Sequence, residues 1–252
     1  MKSPYVVSSE GANPYSPANH TGTVNQRVIG RENVGARRVE VLIGTIEKNH
    51  GALRHLHPNL EQASYLLQGH GTGELWGVEQ LAKPGVWMLT PQAAPHRFTV
   101  TSDEPVKVLV VYAPPYAENP NAAVNCEDAP ALTTGRPCSP DAAYVQTAFT
   151  PDHHHGVQFR YALDLPPGSA KHLAIFDADF EPAGGASSQV LEGMEQVIFL
   201  REGELTGNIN GLAFSARPGD WIFIPEGAHF DYRAGQDKCV QAFVIHAFAS
   251  DE

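Results

Sequence analysis

The sequence predicts an all-β protein in which one antiparallel sandwich or barrel unit occurs twice in tandem behind an N-terminal arm. Three observations lead there: the chain repeats itself, its apolar runs are short and β-rich, and glycine and proline interrupt it at close intervals. The repeat is direct. EQASYLLQGHGTGELWG, from Glu61, matches EQVIFLREGELTGNING, from Glu195, and KPGVWMLTP, from Lys83, matches RPGDWIFIP, from Arg217. Gly69 pairs with Gly203, Gly85 with Gly219, Trp87 with Trp221 and Pro91 with Pro225, all at one offset. The register runs without a gap from Gly35–Ala113 onto Ser169–Ala247. A fixed internal period of this length marks a duplicated structural unit.

Each segment follows in order. Residues 1–34 are polar and proline-broken and read as an irregular arm that packs on the barrels. Residues 35–130 form the first barrel, with VEVLIGTI, ASYLLQG, VWMLTP and VKVLVVYAP as its strands, since β-branched and aromatic residues favour a pleated, half-buried surface. Residues 131–164, with the proline-rich stretch TGRPCSPD, read as a linker with room for a short helix around Pro140–Gln146. Residues 165–252 form the second barrel. Sustained helical periodicity over three or four turns is absent.

Composition narrows the function. The 252 residues carry 17 Lys+Arg against 28 Asp+Glu, a formal charge of −11. That charge repels phosphate backbones and anionic lipid, so neither nucleic acid nor a membrane is an expected partner. No apolar stretch approaches the ~20 residues of a membrane span, and the first residues carry no apolar signal-peptide core. Three cysteines with no CxxC fit a reducing cytoplasm, the expected location. Hydrophobic residues at 42% supply buried cores and exclude the disordered class.

The histidines carry the chemistry. His55 and His57 stand at i and i+2, which on a strand puts both imidazoles on one face. Gln62 opens the next strand and His96 follows the turn at Gly85. Neutral imidazole is the commonest protein ligand for divalent transition metals, and two from one strand with one from another can hold an ion inside a barrel. Ser64, Leu53 and Leu66 are expected to face the same cavity and Tyr65 to face away. Arg54 and Arg97, strand neighbours of His55 and His96, are expected on the outer face. His153, His154 and His155 are expected in the solvated linker. Cys126 and Cys138 are expected as free thiols, and the matched Trp87 and Trp221 as packing residues.

The stretch GALRHLHPNLEQASYLLQG resembles the first motif of the cupin superfamily, and GVWMLTPQAAPH the second, with Ala93 in place of the usual glycine. GDWIFIPEGAH in the second half matches the second motif again. The resemblance implies a bicupin of two double-stranded β-helix (jelly-roll) barrels, with one divalent transition metal per chain (Fe, Mn, Ni or Zn) on His55, His57, Gln62 and His96. The superfamily usually has Glu where this chain has Gln62. The adjacent Glu61 is the alternative ligand, but Gln62 keeps the family's spacing of seven residues before Gly69. In the second half His55 maps to Gln189, His57 to Leu191 and His96 to Phe230, and His229 falls one residue short, so that barrel is expected to hold no metal. The expected activity is that of a metal-dependent, dioxygenase-like enzyme acting on a small organic molecule. A non-redox lyase, isomerase or aminohydrolase is the alternative, and a non-catalytic ligand-binding or structural cupin the rival. Cupin sheets leave edge strands that need cover, so a homodimer or higher oligomer is expected.

Overall fold

The computed structural model describes residues 3–9, 13–117, 122–127, 147–163 and 169–249. In chain order the strands are β1 (Val6–Ser8), β2 (Pro14–Tyr15), β3 (His20–Ile29), β4 (Glu40–Leu56), β5 (Glu61–Gln68), β6 (Gly71–Leu75), β7 (Val78–Ala82), β8 (Trp87–Thr90), β9 (His96–Val100), β10 (Val106–Ala113) and β11 (Val124–Asn125). The second half adds β12 (His154–Tyr161), β13 (Leu173–Val190), β14 (Met194–Glu202), β15 (Leu205–Ile209), β16 (Leu212–Ala216), β17 (Asp220–Ile224), β18 (His229–Ala234) and β19 (Val240–Phe248). A single helical turn, Arg31–Val34, separates β3 from β4. The chain is all-β, as its sequence predicts.

The first barrel is a sheet ordered β7-β6-β9-β4-β10-β5-β8, with β3 and β11 added to β4. The second is ordered β1-β17-β14-β19-β13-β18-β15-β16, with β12 added to β13. Two long strands lie in segments that the sequence alone reads as irregular. In the arm, β3 pairs with β4 from His20↔Ala52 to Ile29↔Val41. In the linker, β12 pairs with β13 from His154↔Ala186 to Tyr161↔Phe176. These two strands are themselves repeat partners, so the duplicated unit starts at His20 and His154, a strand earlier than the similarity at Gly35. The short β1 also leaves the arm, joining the edge of β17 in the other barrel. Pro140–Gln146 and Cys138 lie outside the described residues; Cys126 and Cys239 are free thiols.

Three apolar clusters hold the molecule. Leu42, Leu66, Val100 and Val108 line the inside of barrel one; Phe159, Phe180, Ile198 and Phe230 fill barrel two. The third lies between the barrels, where Ala63, Trp87, Leu109 and Val111 meet Val197, Trp221, Phe243 and Ile245. Fully burying each large side chain contributes about 1.5–3 kcal/mol. Tyr65 turns away from the cavity and packs here, 4.8 Å from Phe243. Both tryptophans are packing residues of this interface, as their matched positions suggest.

The interface is sealed twice by the same device. The Glu61 carboxylate accepts the backbone N–H groups of Lys171 and His172 at 2.8 Å each. Its repeat partner Glu195 accepts those of Arg37 and Arg38 at 2.9 Å. Each barrel thus holds the loop before the long strand of the other. Burial raises the pKa of Glu195, and the donated N–H groups work against that rise.

Candidate metal centre

The long strand β4 carries His55 and His57, and β9, paired to it at His55↔His96, brings the third imidazole alongside. Their ring centroids lie 4.2–4.9 Å apart, and their ligand nitrogens fall within 4.8 Å of one another. All three are buried.

Each ring is fixed by a backbone carbonyl. Nδ1 of His55 donates to Leu53 O at 2.7 Å, Nδ1 of His57 to Ala122 O at 2.6 Å, and Nδ1 of His96 to Ala94 O at 3.0 Å. A neutral imidazole has one N–H. With it spent on the carbonyl, each Nε2 keeps a bare lone pair. Burial holds His55 down at a pKa of about 4 and depresses His57 and His96 too, so the neutral form dominates at neutral pH.

Gln62 stands beside them, across the ladder from Tyr112. Its Oε1 lies 3.0 Å from Nε2 of His57, and its amide N–H donates to Ser64 Oγ at 3.0 Å. Two acceptor atoms therefore face each other. Nε2 of His96 is buried with no hydrogen-bond partner at all. A buried polar atom left unpaired costs about 1–3 kcal/mol, and a divalent cation relieves the whole arrangement together. Three imidazole nitrogens and an amide oxygen suit first-row transition metals, so the donor set fits such an ion. The sequence left Glu61 open as the fourth donor; here its carboxylate is committed to the other barrel.

Around the donors lies a cavity of about 110 Å³, lined by Ile46, Leu66, Val108 and Val110 with Ser64, Thr90 and Tyr112. It is somewhat smaller than the ~150 Å³ cavity that accepts benzene. Ser64 and Leu66 face it as expected; Leu53 does not, being 43% exposed. The β4–β9 pairing shifts register between Ala52 and His55, which breaks the strand alternation and puts Ala52 in the wall instead.

Arg97 is exposed and pairs with Glu74 at 2.6 Å and Glu79 at 2.9 Å. Arg54 is buried, contrary to an outer-face position: its Nε meets Glu74 at 3.0 Å and its backbone N–H meets the Glu127 carboxylate. The cause is β11, which adds to β4 at His55 and Leu56 and covers that face.

A histidine of the cavity wall escaped the sequence reading. His20, at the start of β3, lines the cavity with its ring centroid 5.6 Å from that of His55. Its signal was available: His20-Thr21-Gly22 and His154-His155-Gly156 sit at the repeat's own offset.

A cupin-domain family model matches residues 42–112, the stretch holding all four donors. No curated protein matches the sequence. Among solved structures, oxalate decarboxylase from Bacillus subtilis superposes with a TM-score of 0.67 at 12% identity, covering 99% of this chain and 78% of that one. Protein Ylba from E. coli superposes at 0.68 and 12% identity, covering 100% and 94%. AerE from Microcystis aeruginosa gives 0.65 at 11% identity, covering 98% and 100%. The chain has the fold of a bicupin.

The second barrel of this bicupin fold shows what stands in place of the histidine triad. Leu191 and Phe230, the counterparts of His57 and His96, are buried among apolar side chains, and His229 is exposed. The polar groups that remain form a directional chain. His246 Nε2 donates to Gln196 Oε1 at 3.0 Å, and Tyr232 Oη donates to His154 Nε2 at 2.9 Å. His154 Nδ1 in turn donates to Asp152 O at 2.8 Å. His154, expected in a solvated loop, is thus a half-buried part of this chain. Among the described residues the only group of three or more metal-capable His, Cys or acidic side chains is the one in barrel one. Among the described residues no helix is long and apolar enough to cross a membrane.

Proposed function

We propose that this bicupin is a metal-dependent enzyme acting on a small organic molecule in its first barrel, with His55, His57, His96 and Gln62 holding the ion. The observation that carries the reading is the convergence of buried, carbonyl-fixed imidazoles whose Nε2 lone pairs face one point. A bound divalent ion would supply Lewis acidity there, and, if iron, redox chemistry with dioxygen. The protein's own groups do the rest. The carbonyls of Leu53, Ala94 and Ala122 hold the tautomers and ring orientations. Ile46, Leu66, Val108 and Val110 exclude bulk water from the cavity and strengthen the electrostatics inside it. Tyr112, whose burial raises its pKa well above the usual phenol range, stays protonated and can donate to a bound molecule. With no carboxylate among the donors, the ion keeps its full double charge.

Dioxygenase-type chemistry at iron is the first reading. The neutral donor set favours a second, a non-redox lyase or isomerase at Mn, Zn or Ni, and the likeness in fold to oxalate decarboxylase is compatible with it. Anaerobic purification, metal analysis and a dioxygen-uptake screen over phenols, diketones and keto acids separate the two. Substrate-dependent uptake by the iron form supports the first, and turnover without uptake supports the second. A protein that takes up no metal contradicts both. We also propose self-association, since β7 and β16 end their sheets with Leu81 and Leu212 exposed. Light scattering at micromolar concentration should give at least a dimer; a monomer mass contradicts it.

A further inference from the structure

The two copies of the duplicated unit keep one histidine that the metal reading does not use. His20 and His154 open their strands after a residue in the left-handed region, Asn19 at φ 57° and His153 at φ 61°. Each Nδ1 donates to the carbonyl two residues back, Ala18 O at 2.7 Å and Asp152 O at 2.8 Å. A glycine at positive φ follows two residues on, Gly22 and Gly156, beside a register shift in the strand pairing. The same backbone device therefore aims both Nε2 atoms, as hydrogen-bond acceptors, toward the barrel interior.

Their surroundings differ at the residue that meets Nε2. In barrel two the acceptor is met by the phenol of Tyr232. The counterpart of Tyr232 in barrel one is Phe98, which offers no donor. Among the described residues His20 Nε2 meets no hydrogen-bond donor, and the ring lies in the wall of the cavity beside His55. We propose that His20 accepts a hydrogen bond from a hydroxyl on the molecule held in barrel one, and so selects small hydroxycarboxylates. This rests on the metal reading above. The carboxylate part of the class follows from charge: the ion would be the dominant positive charge in the cavity, because Arg97 at its rim is engaged by Glu74 and Glu79. The hydroxyl part follows from the half-buried acceptor in the cavity wall, because a ligand hydroxyl gains a hydrogen bond there that a ligand lacking it cannot make. The cavity's size confines the class to molecules of a few non-hydrogen atoms.

The test uses the whole protein loaded with Mn²⁺ and two probes differing by one hydroxyl, glycolate and acetate, titrated calorimetrically. Glycolate chelates metals better than acetate in any protein, so the informative quantity is how the preference changes on mutation. In His20→Phe the glycolate-to-acetate affinity ratio should fall about tenfold, equivalent to ~1.4 kcal/mol, with Mn²⁺ content and acetate affinity unchanged. His20→Gln, which restores an acceptor oxygen, should recover part of the ratio, and it serves alone if the phenylalanine variant melts early. A ratio unaltered in both variants overturns the assignment. So does a Mn²⁺-loaded wild type that binds neither probe. A wild type that takes up no Mn²⁺ fails at the earlier step and overturns the metal reading itself.

Discussion

The two barrels of this chain answer the same problem, polar groups inside a closed sheet, in opposite ways. In barrel one every imidazole of the triad spends its N–H on a carbonyl, and the acceptors left over crowd together without a donor. In barrel two His246 gives its proton to Gln196 and Tyr232 gives its proton to His154, so acceptors are matched by donors. Gln62 and Gln196 are repeat partners with similar contacts, each 3.0 Å from a histidine Nε2. What differs is that Nδ1 of His57 is already committed as donor to Ala122 O. Barrel one leaves bare acceptors facing one point, which suits a cation; barrel two leaves amide donors unpaired, Gln189 Nε2 and Gln196 Nε2, which does not. A metal centre is thus legible as an unmatched hydrogen-bond inventory.

Substitutions at matched positions can break this contrast. The largest separation should come from His57 and Leu191. His57→Ala removes a donor and should reduce metal affinity by at least tenfold with the barrel still folded. Leu191→Ala should leave metal content unchanged while costing about 2–5 kcal/mol of stability as a core cavity. Metal analysis and denaturant melts on both variants read this directly, and metal loss in the Leu191 variant would dissolve the distinction.

Putting a carboxylate at each glutamine comes next. Gln62→Glu should retain or tighten the metal, because the new charge faces the ion. Gln196→Glu should destabilise by several kcal/mol at neutral pH, since its neighbour His246 is held neutral by burial and would itself have to be charged to pair with the new carboxylate. Equal destabilisation of the two variants, with no change at the metal, would make Gln62 a structural twin of Gln196.

The pH dependence sharpens the comparison further. His55 has its pKa lowered to about 4, against about 6.5 in the unfolded chain. Between those values the unfolded chain takes up a proton that the folded one refuses, so stability falls as pH drops through that window. At 1.36 kcal/mol per pH unit the loss for His55 is on the order of 3 kcal/mol. His246, also lowered to about 4 by burial, acts in the same direction in barrel two. Metal loading should deepen the acid sensitivity of barrel one, because protons then compete with the ion. Melts from pH 7 to pH 4.5, with and without metal, should differ accordingly; identical curves would contradict it. The smallest effect is Tyr232→Phe, which leaves His154 Nε2 without its donor and should cost about 1 kcal/mol, with metal content unaltered.

The fold and the triad were legible in sequence because both are local signals. A constant offset reveals duplication, and the i, i+2 spacing of His55 and His57 fixes a shared face. What was missed depends on pairing between distant segments. Leu53 left the cavity because a register shift against β9 breaks strict alternation, which no single-strand pattern reports. Arg54 is buried because β11 returns from beyond the barrel to cover it. His20 lies in a stretch whose similarity to its partner has worn down to His-x-Gly, too little to mark a strand until the pairing with Ala52 is known. The division of labour between Glu61 and Gln62 was legible only as alternation; the partners of Glu61 lie in the other barrel.

The most direct test of the contrast between the barrels is metal stoichiometry. The purified protein is stripped with chelator, reloaded with excess Mn²⁺, freed of loose ion and analysed for metal per chain. One ion per chain, lost in His57→Ala and kept in Leu191→Ala, is the predicted result. Two ions per chain, or one that survives the loss of His57, would contradict it.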